Sequence, residues 1–148
     1  MNILKRTLMI TKITLMTAFL IVASYIVIPM PFAVASISLQ TLAVNLIALL
    51  LSPLEAGISI LVYILLCGAG VPVANGGKGG VAYLMGPTGG FFIGFLAAVV
   101  LISLLKGKMY SIPRYLLTTI GIGIPVMYLF AMIWMVAVTG LPLKAAFL

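Results

Sequence analysis

Five apolar stretches, at about residues 8–28, 38–52, 54–70, 87–105 and 115–138, run almost without charge through the chain, and no other feature limits its fold as much. A transmembrane helix needs roughly 20 predominantly apolar residues, within a range of about 17–25. The first, fourth and fifth stretches meet that length. The second and third are shorter and are parted only by Ser52-Pro53. Proline suits the first turn of a helix and breaks an interior, so two short helices joined by a tight turn are expected there. Eight basic side chains and one acidic side chain serve all 148 residues, of which 65% are hydrophobic. Soluble domains carry roughly 25% charged residues. The composition therefore excludes a soluble globular domain, a disordered chain and a disulfide scaffold. It leaves an all-α integral membrane protein, a helical bundle of five transmembrane helices. The first stretch is too long for a cleaved signal, and no small-x-small site follows it.

The side-chain inventory narrows function. There is no histidine, one cysteine (Cys67) and one acid (Glu55). No thiolate and imidazole cluster can hold zinc or iron. No carboxylate pair is present for acid–base work, and a Ser–His arrangement is impossible. Cys67, at an apolar helix position, reads as a small packed thiol. Catalysis is not expected, and no cofactor is implied. The net charge of +7 would suggest nucleic acid in a soluble protein. Here it reads as membrane topology, because Lys and Arg concentrate in cytoplasmic loops. With the N-terminus cytoplasmic, Lys5, Arg6, Lys12, Lys106, Lys108 and Arg114 lie inside, with Glu55 in the inner turn; only Lys78 and Lys144 face outward. The opposite orientation reverses that bias.

Two outer connections result. The first, about residues 29–37, holds Pro29-Met30-Pro31-Phe32. The second, about 70–86, is glycine-rich and runs into Pro87-Thr88-Gly89-Gly90. Glycine permits positive backbone dihedrals and close approach to a ligand. Asn75, Gly76, Gly77, Lys78 and Tyr83 make the second connection a candidate binding loop, against the plainer reading of a flexible linker. Asn75 offers a donor and an acceptor together. Lys78 suits a carboxylate, or is a solvated interfacial lysine. Gln40 at the outer mouth is either a ligand contact or a helix–helix contact. Thr41 and Asn45 share a helix face, and Asn45 reads chiefly as interhelix glue. Pro87 is expected in the first turn of the fourth helix, with Thr88 and Gly89 serving either a ligand or the helix cap.

Packing signals are also present. Gly90, Gly94 and Ala98 form a small-xxx-small stripe, read as a packing face. Pro125, with Gly121 and Gly123 before it, predicts a kink in the fifth helix. Trp134 reads as an interfacial anchor. Thr14, Ala18 and Val22 recur every four residues, a face that suits a foreign helix or internal packing equally.

Pro-x-Pro-Phe at 29–32, Leu39-Gln40-Thr41-Leu42-Ala43-Val44, Gly70-Val71-Pro72-Val73, the Asn75–Gly80 loop and Gly86-Pro87-Thr88-Gly89-Gly90-Phe91-Phe92-Ile93-Gly94-Phe95 occur in that order. Together they resemble the BioY family, the biotin-specific substrate-binding (S) components of energy-coupling-factor (ECF) transporters. The resemblance implies a six-helix bundle in a prokaryotic cell (plasma) membrane, multi-pass, with both termini cytoplasmic. It implies biotin as the transported substrate, bound under the outer loops, and as partners an ECF coupling transmembrane subunit and ATPase subunits. Carried onto this sequence, the biotin-binding set is Gln40, Asn75, Gly76, Gly77, Lys78, Tyr83, Thr88 and Gly89, and the coupling-subunit contacts are Thr14 and Ala18. Two features depart from the family. Its last helix opens with Pro-Gly-Asp-x-x-Lys, which residues 1–148 do not contain, so the expectation is a single BioY-like domain cut short of its sixth helix. The family's basic residue after the helix-two proline is also missing, since the sequence reads Pro53-Leu54-Glu55. The alternatives are an S component for another vitamin and a non-transporting membrane scaffold.

Overall fold

A computed structural model describes residues 2–28, 37–108 and 111–140. Pro29-Met30-Pro31-Phe32 and Lys144 lie outside the described residues. Helix α1 (Ile3–Tyr25) is followed by a two-residue strand, β1 (Val27–Ile28), which pairs antiparallel with β2 (Ile37–Ser38) in the register Val27↔Ser38 and Ile28↔Ile37. This ribbon brings the two ends of the first connection together. Helices α2 (Gln40–Leu50) and α3 (Pro53–Gly68) come next, then a one-turn helix α4 (Val81–Leu84), α5 (Gly90–Leu105), α6 (Ile112–Thr118), a π-helical turn (Thr119–Gly123) and α7 (Ile124–Thr139).

The Ser52-Pro53 break forms as expected. Pro53 opens α3, the Ser52 hydroxyl accepts from the Glu55 N–H, and the Glu55 carboxylate accepts from the Ser52 N–H at 3.1 Å. This reciprocal cap satisfies two helix-end donors at once. Helix α5 is the axis of the bundle and packs on α7, α3 and α2. The small-residue stripe makes that possible. A Cβ on Gly90 would lie 2.4 Å from the Trp134 Cβ, and one on Gly94 would lie 2.9 Å from the Met127 carbonyl. Leu20, Val44, Ile47, Ile60, Val99, Ile102 and Met127 fill the core between these helices.

The structure revises two expectations. Pro87 is not in a helix: α4 ends at Leu84, residues 85–89 form turns, and α5 begins at Gly90. The helix formed by the fourth apolar stretch, α5, is therefore 16 residues long. The break before Pro125 takes the form of the π turn, in which the Ile124 N–H reaches back to the Thr119 carbonyl. A π turn spends one extra residue per hydrogen bond, which accommodates the donor that proline lacks. Among the described residues, two helices are long and apolar enough to cross a membrane, Ile3–Tyr25 and the continuous helical run Ile112–Thr139; the shorter apolar helices there are Gln40–Leu50, Pro53–Gly68 and Gly90–Leu105.

Candidate functional site

At one end of the bundle the glycine-rich connection folds back over the helices, and hydrogen bonds hold it along its length. The Val71 N–H donates to the Leu66 carbonyl at 3.1 Å, and the Gly80 N–H to the Cys67 carbonyl at 2.7 Å, so α3 fixes both ends of the loop. Between them, Ala74 and Lys78 pair through two main-chain bonds, 2.8 and 2.6 Å, around a three-residue tip. The tip needs positive φ at Asn75 (21°), Gly76 (76°) and Gly77 (86°). Asparagine and glycine are the residue types that tolerate this region, which explains the composition. The linker reading is thereby replaced: the connection is a hydrogen-bonded turn.

The last turn of α1 grips the middle of the loop. The Gly76 N–H donates to the Ser24 carbonyl at 2.9 Å, the Tyr25 hydroxyl donates to the Pro72 carbonyl, and the Ser24 hydroxyl donates to the Val73 carbonyl. From α3, the Tyr63 hydroxyl also donates to the Val73 carbonyl, at 3.2 Å. Beneath the loop lies an aromatic series. Tyr63 stacks on Phe92 with centroids 6.0 Å apart, and Phe92 meets the edge of Tyr83, also at 6.0 Å. Both separations fall in the range of favourable aromatic pairs. The Lys78 ammonium stands 6.0 Å from the Tyr83 ring centroid, a cation–π distance.

The expected site residues fall into two groups. Asn75, Gly76, Gly77, Lys78 and Tyr83 come together at the loop tip and its aromatic floor, with Lys78 exposed and Asn75 and Tyr83 half-buried. Gln40 and Gly89 are buried in the protein. Gln40 is 5% exposed and donates from Nε2 to the Tyr63 hydroxyl at 2.9 Å. A Cβ on Gly89 would lie 1.9 Å from the Leu84 carbonyl, so glycine there answers to packing. The Thr88 carbonyl accepts from the Phe91 N–H at 3.1 Å, at the start of α5. Trp134, expected at the membrane interface, is half-buried and donates from Nε1 to the Gly86 carbonyl at 3.0 Å. It pins the turn before α5 to α7.

Sequence reasoning missed Ser24, Tyr25 and Tyr63. Their only signal was polarity at the edge or in the middle of an apolar stretch.

Two grooves open elsewhere on the bundle. One, of about 500 Å³, lies between α2 and the start of α7 and is lined by Thr41, Asn45, Thr119 and Tyr128 among others. Asn45 donates from Nδ2 to the Thr41 carbonyl of its own helix at 3.0 Å, so the expected interhelix bond is not made by its amide nitrogen. Its Oδ1 is the one buried side-chain polar atom without a partner among the described residues. The other groove, of about 510 Å³, lies between α1 and α3 and is lined by Thr14 and Ala18 with Ile10, Ile21, Ile58 and Val62 among others. The Thr14 hydroxyl is spent on the Ile10 carbonyl at 2.9 Å, so the groove presents an apolar face. Neither groove reaches Asn75, Lys78 or Tyr83.

The model of the BioY family matches residues 1–148. The biotin transporter BioY2 of Lactococcus lactis is 41% identical over 114 residues, covering 76% of this chain and 62% of that protein. The probable biotin transporter BioY of Pyrococcus horikoshii is 38% identical over 104 residues, 70% of this chain and 60% of the relative. The biotin transporter BioY of Rhodobacter capsulatus is 33% identical over 138 residues, 89% of this chain and 72% of the relative. The chain thus spans about three fifths of the length of the first two. Its fold is similar to the crystal structure of the S-component for biotin from an ECF-type ABC transporter, with a TM-score of 0.90 and 28% identity over 99% of this chain and 80% of that one.

Proposed function

The chain belongs to the BioY family, and from that premise we propose that it is the membrane subunit that binds biotin for uptake by an ECF-type ABC transporter. The observation that carries this reading is the loop tip of residues 74–78, tied down over an aromatic floor on a fold similar to a biotin S-component. Biotin has an apolar bicyclic core, a ureido head and a carboxylate tail. Sites for such ligands are mostly apolar with a few placed polar groups. In this reading the Asn75 amide pairs with the ureido group, Lys78 meets the carboxylate, and Tyr83 with the main chain of Gly76, Gly77 and Thr88 encloses the ring system. The subunit supplies binding, not catalysis, and reorients in the membrane when ATPase partners act through the coupling subunit.

The same reading makes residues 1–148 one transmembrane domain of five spans in a prokaryotic cell membrane, with the N-terminus and the Lys106–Arg114 connection cytoplasmic. Thr14 and Ala18, exposed on the groove between α1 and α3, are the contacts for the coupling subunit.

Biotin binding by the purified chain, alone and extended with a relative's last helix, tests the reading. Binding by either form that other vitamins fail to displace supports it. Displacement by another vitamin shifts the substrate, and no binding by both forms overturns the reading. Ala18→Trp is expected to leave binding intact and abolish uptake in cells that carry the whole transporter.

A further inference from the structure

The middle of the loop is held by side chains that lie far from it in sequence. Tyr63 is fully buried, and its hydroxyl accepts from Gln40 Nε2 at 2.9 Å and donates to the Val73 carbonyl at 3.2 Å. Ser24, also fully buried, holds the loop at two places, with its hydroxyl on the Val73 carbonyl and its own carbonyl on the Gly76 N–H. Its hydroxyl proton also reaches the Ile21 carbonyl at 2.6 Å. Ser24 therefore shares its single donor, and Tyr63 gives the Val73 carbonyl a second one. Val73 is 4% exposed and Ala74 is fully buried. Water has no easy route to replace a lost donor there, and an unsatisfied buried carbonyl is costly. The glycine-rich tip begins one residue later, so the orientation of Val73 sets the orientation of the tip.

We propose that Tyr63, backed by Gln40 and seconded by Ser24, is the positioning group that holds the 74–78 tip in its ligand-receiving shape and thereby sets how slowly bound ligand leaves. The proposal rests on the biotin-binding reading for the ligand, but the holding of the loop is independent of it. It moves Gln40 from the ligand-contacting set to the loop-holding set. Its amide reaches the loop through Tyr63, as Gln40 Nε2 to Tyr63 Oη to Val73 O. Loss of a group that only stabilises the bundle would lower the melting temperature and leave exchange at the tip in step with exchange elsewhere. Loss of a group that holds the tip would free the tip alone.

The test uses the whole chain in lipid nanodiscs and reads backbone hydrogen exchange together with biotin association and dissociation rates. Tyr63→Phe keeps the ring on Phe92 and removes the hydroxyl. It is expected to speed exchange at residues 74–78 about tenfold, the factor that one buried hydrogen bond is worth, with amides of α5 unchanged. The biotin dissociation rate rises by a similar factor, while association changes less than twofold. Ser24→Ala acts in the same direction, and Ser24→Thr, which keeps a hydroxyl, restores slow exchange. Should Tyr63→Phe fail to fold, Gln40→Leu leaves the tyrosine in place and carries the same expectation. Unchanged exchange at the tip in the folded variants overturns the proposal, as does equal acceleration across α5. If the unmodified chain binds no biotin, with or without a sixth helix, the substrate reading falls, and the exchange data still decide the anchoring.

Discussion

The two ends of the bundle close their helices by different means. At the end that carries most of the basic residues, charge does the work. The Lys106 ammonium donates to the Ala48 and Leu49 carbonyls at 2.9 Å each, and to the Leu51 carbonyl, so one cation gathers the loose carbonyls of the α2 terminus. Lys12 stands 3.8 Å from Glu55, which caps α3. At the opposite end the closing groups are neutral: the Ser24, Tyr25 and Tyr63 hydroxyls, the Trp134 indole and the main chain of a glycine-rich turn. The difference teaches that an oily bundle can close its two ends with different chemistry. A cation on helix-terminal carbonyls is strong and little dependent on side-chain shape. A set of neutral bonds to a loop can be remade when the loop rearranges around a solute, and each bond is worth only about 0.5–1.5 kcal/mol.

Substitutions at each end can break or sharpen this contrast. The largest effect is expected from Gly90→Val at the neutral end, where the new side chain meets Trp134 and the Phe130 carbonyl. Overpacking of this kind costs about 3 kcal/mol, read as a lower melting temperature in detergent together with loss of loop protection. Next comes Lys106→Met at the charged end. It strips the α2 carbonyls of their donor and should cost about 2 kcal/mol, with protection of the 74–78 tip unchanged. If the tip loosens as well, the two ends are not independent. Trp134→Phe removes the bond to Gly86 and keeps most of the packing. About 1 kcal/mol is expected, accompanied by faster exchange at residues 85–89. The smallest effect belongs to Glu55→Gln, because Lys12 is well exposed and such pairs are weak. A loss of about 0.5 kcal/mol is expected, and raising the salt concentration in the unmodified chain should reproduce part of it. A loss several times larger would mean that the charged end depends on this pair and not on Lys106.

Much of the architecture is legible in local pattern. The Ser52-Pro53 cap follows from residue types at adjacent positions, and the Gly90, Gly94 and Ala98 stripe follows from a four-residue repeat. Gly76, Gly77 and Gly80 mark a backbone with positive φ. Other features resist such reading. Pro87 has the composition of a helix start and occupies a turn, because α4 inserts a separate short helix before it. Trp134 has the hydropathy of an interfacial anchor, and nothing local shows that its indole also finds the Gly86 carbonyl, 48 positions away. Gln40 sits near the mouth in sequence and is turned inward onto Tyr63.

By itself the sequence determined the class of the protein: helices suited to lipid, basic residues gathered toward one side, a glycine-rich loop on the other, and an ordered set of motifs similar to the BioY family. Those properties depend on composition and short periods, which act between neighbours along the chain. Only the tertiary structure decided which polar groups face the loop and which are spent holding it. Ser24 and Val73 are 49 positions apart, and Tyr25 and Pro72 are 47 apart. A hydrogen bond of that kind leaves no periodic trace, because its geometry exists only after helices α1, α2 and α3 have packed against one another.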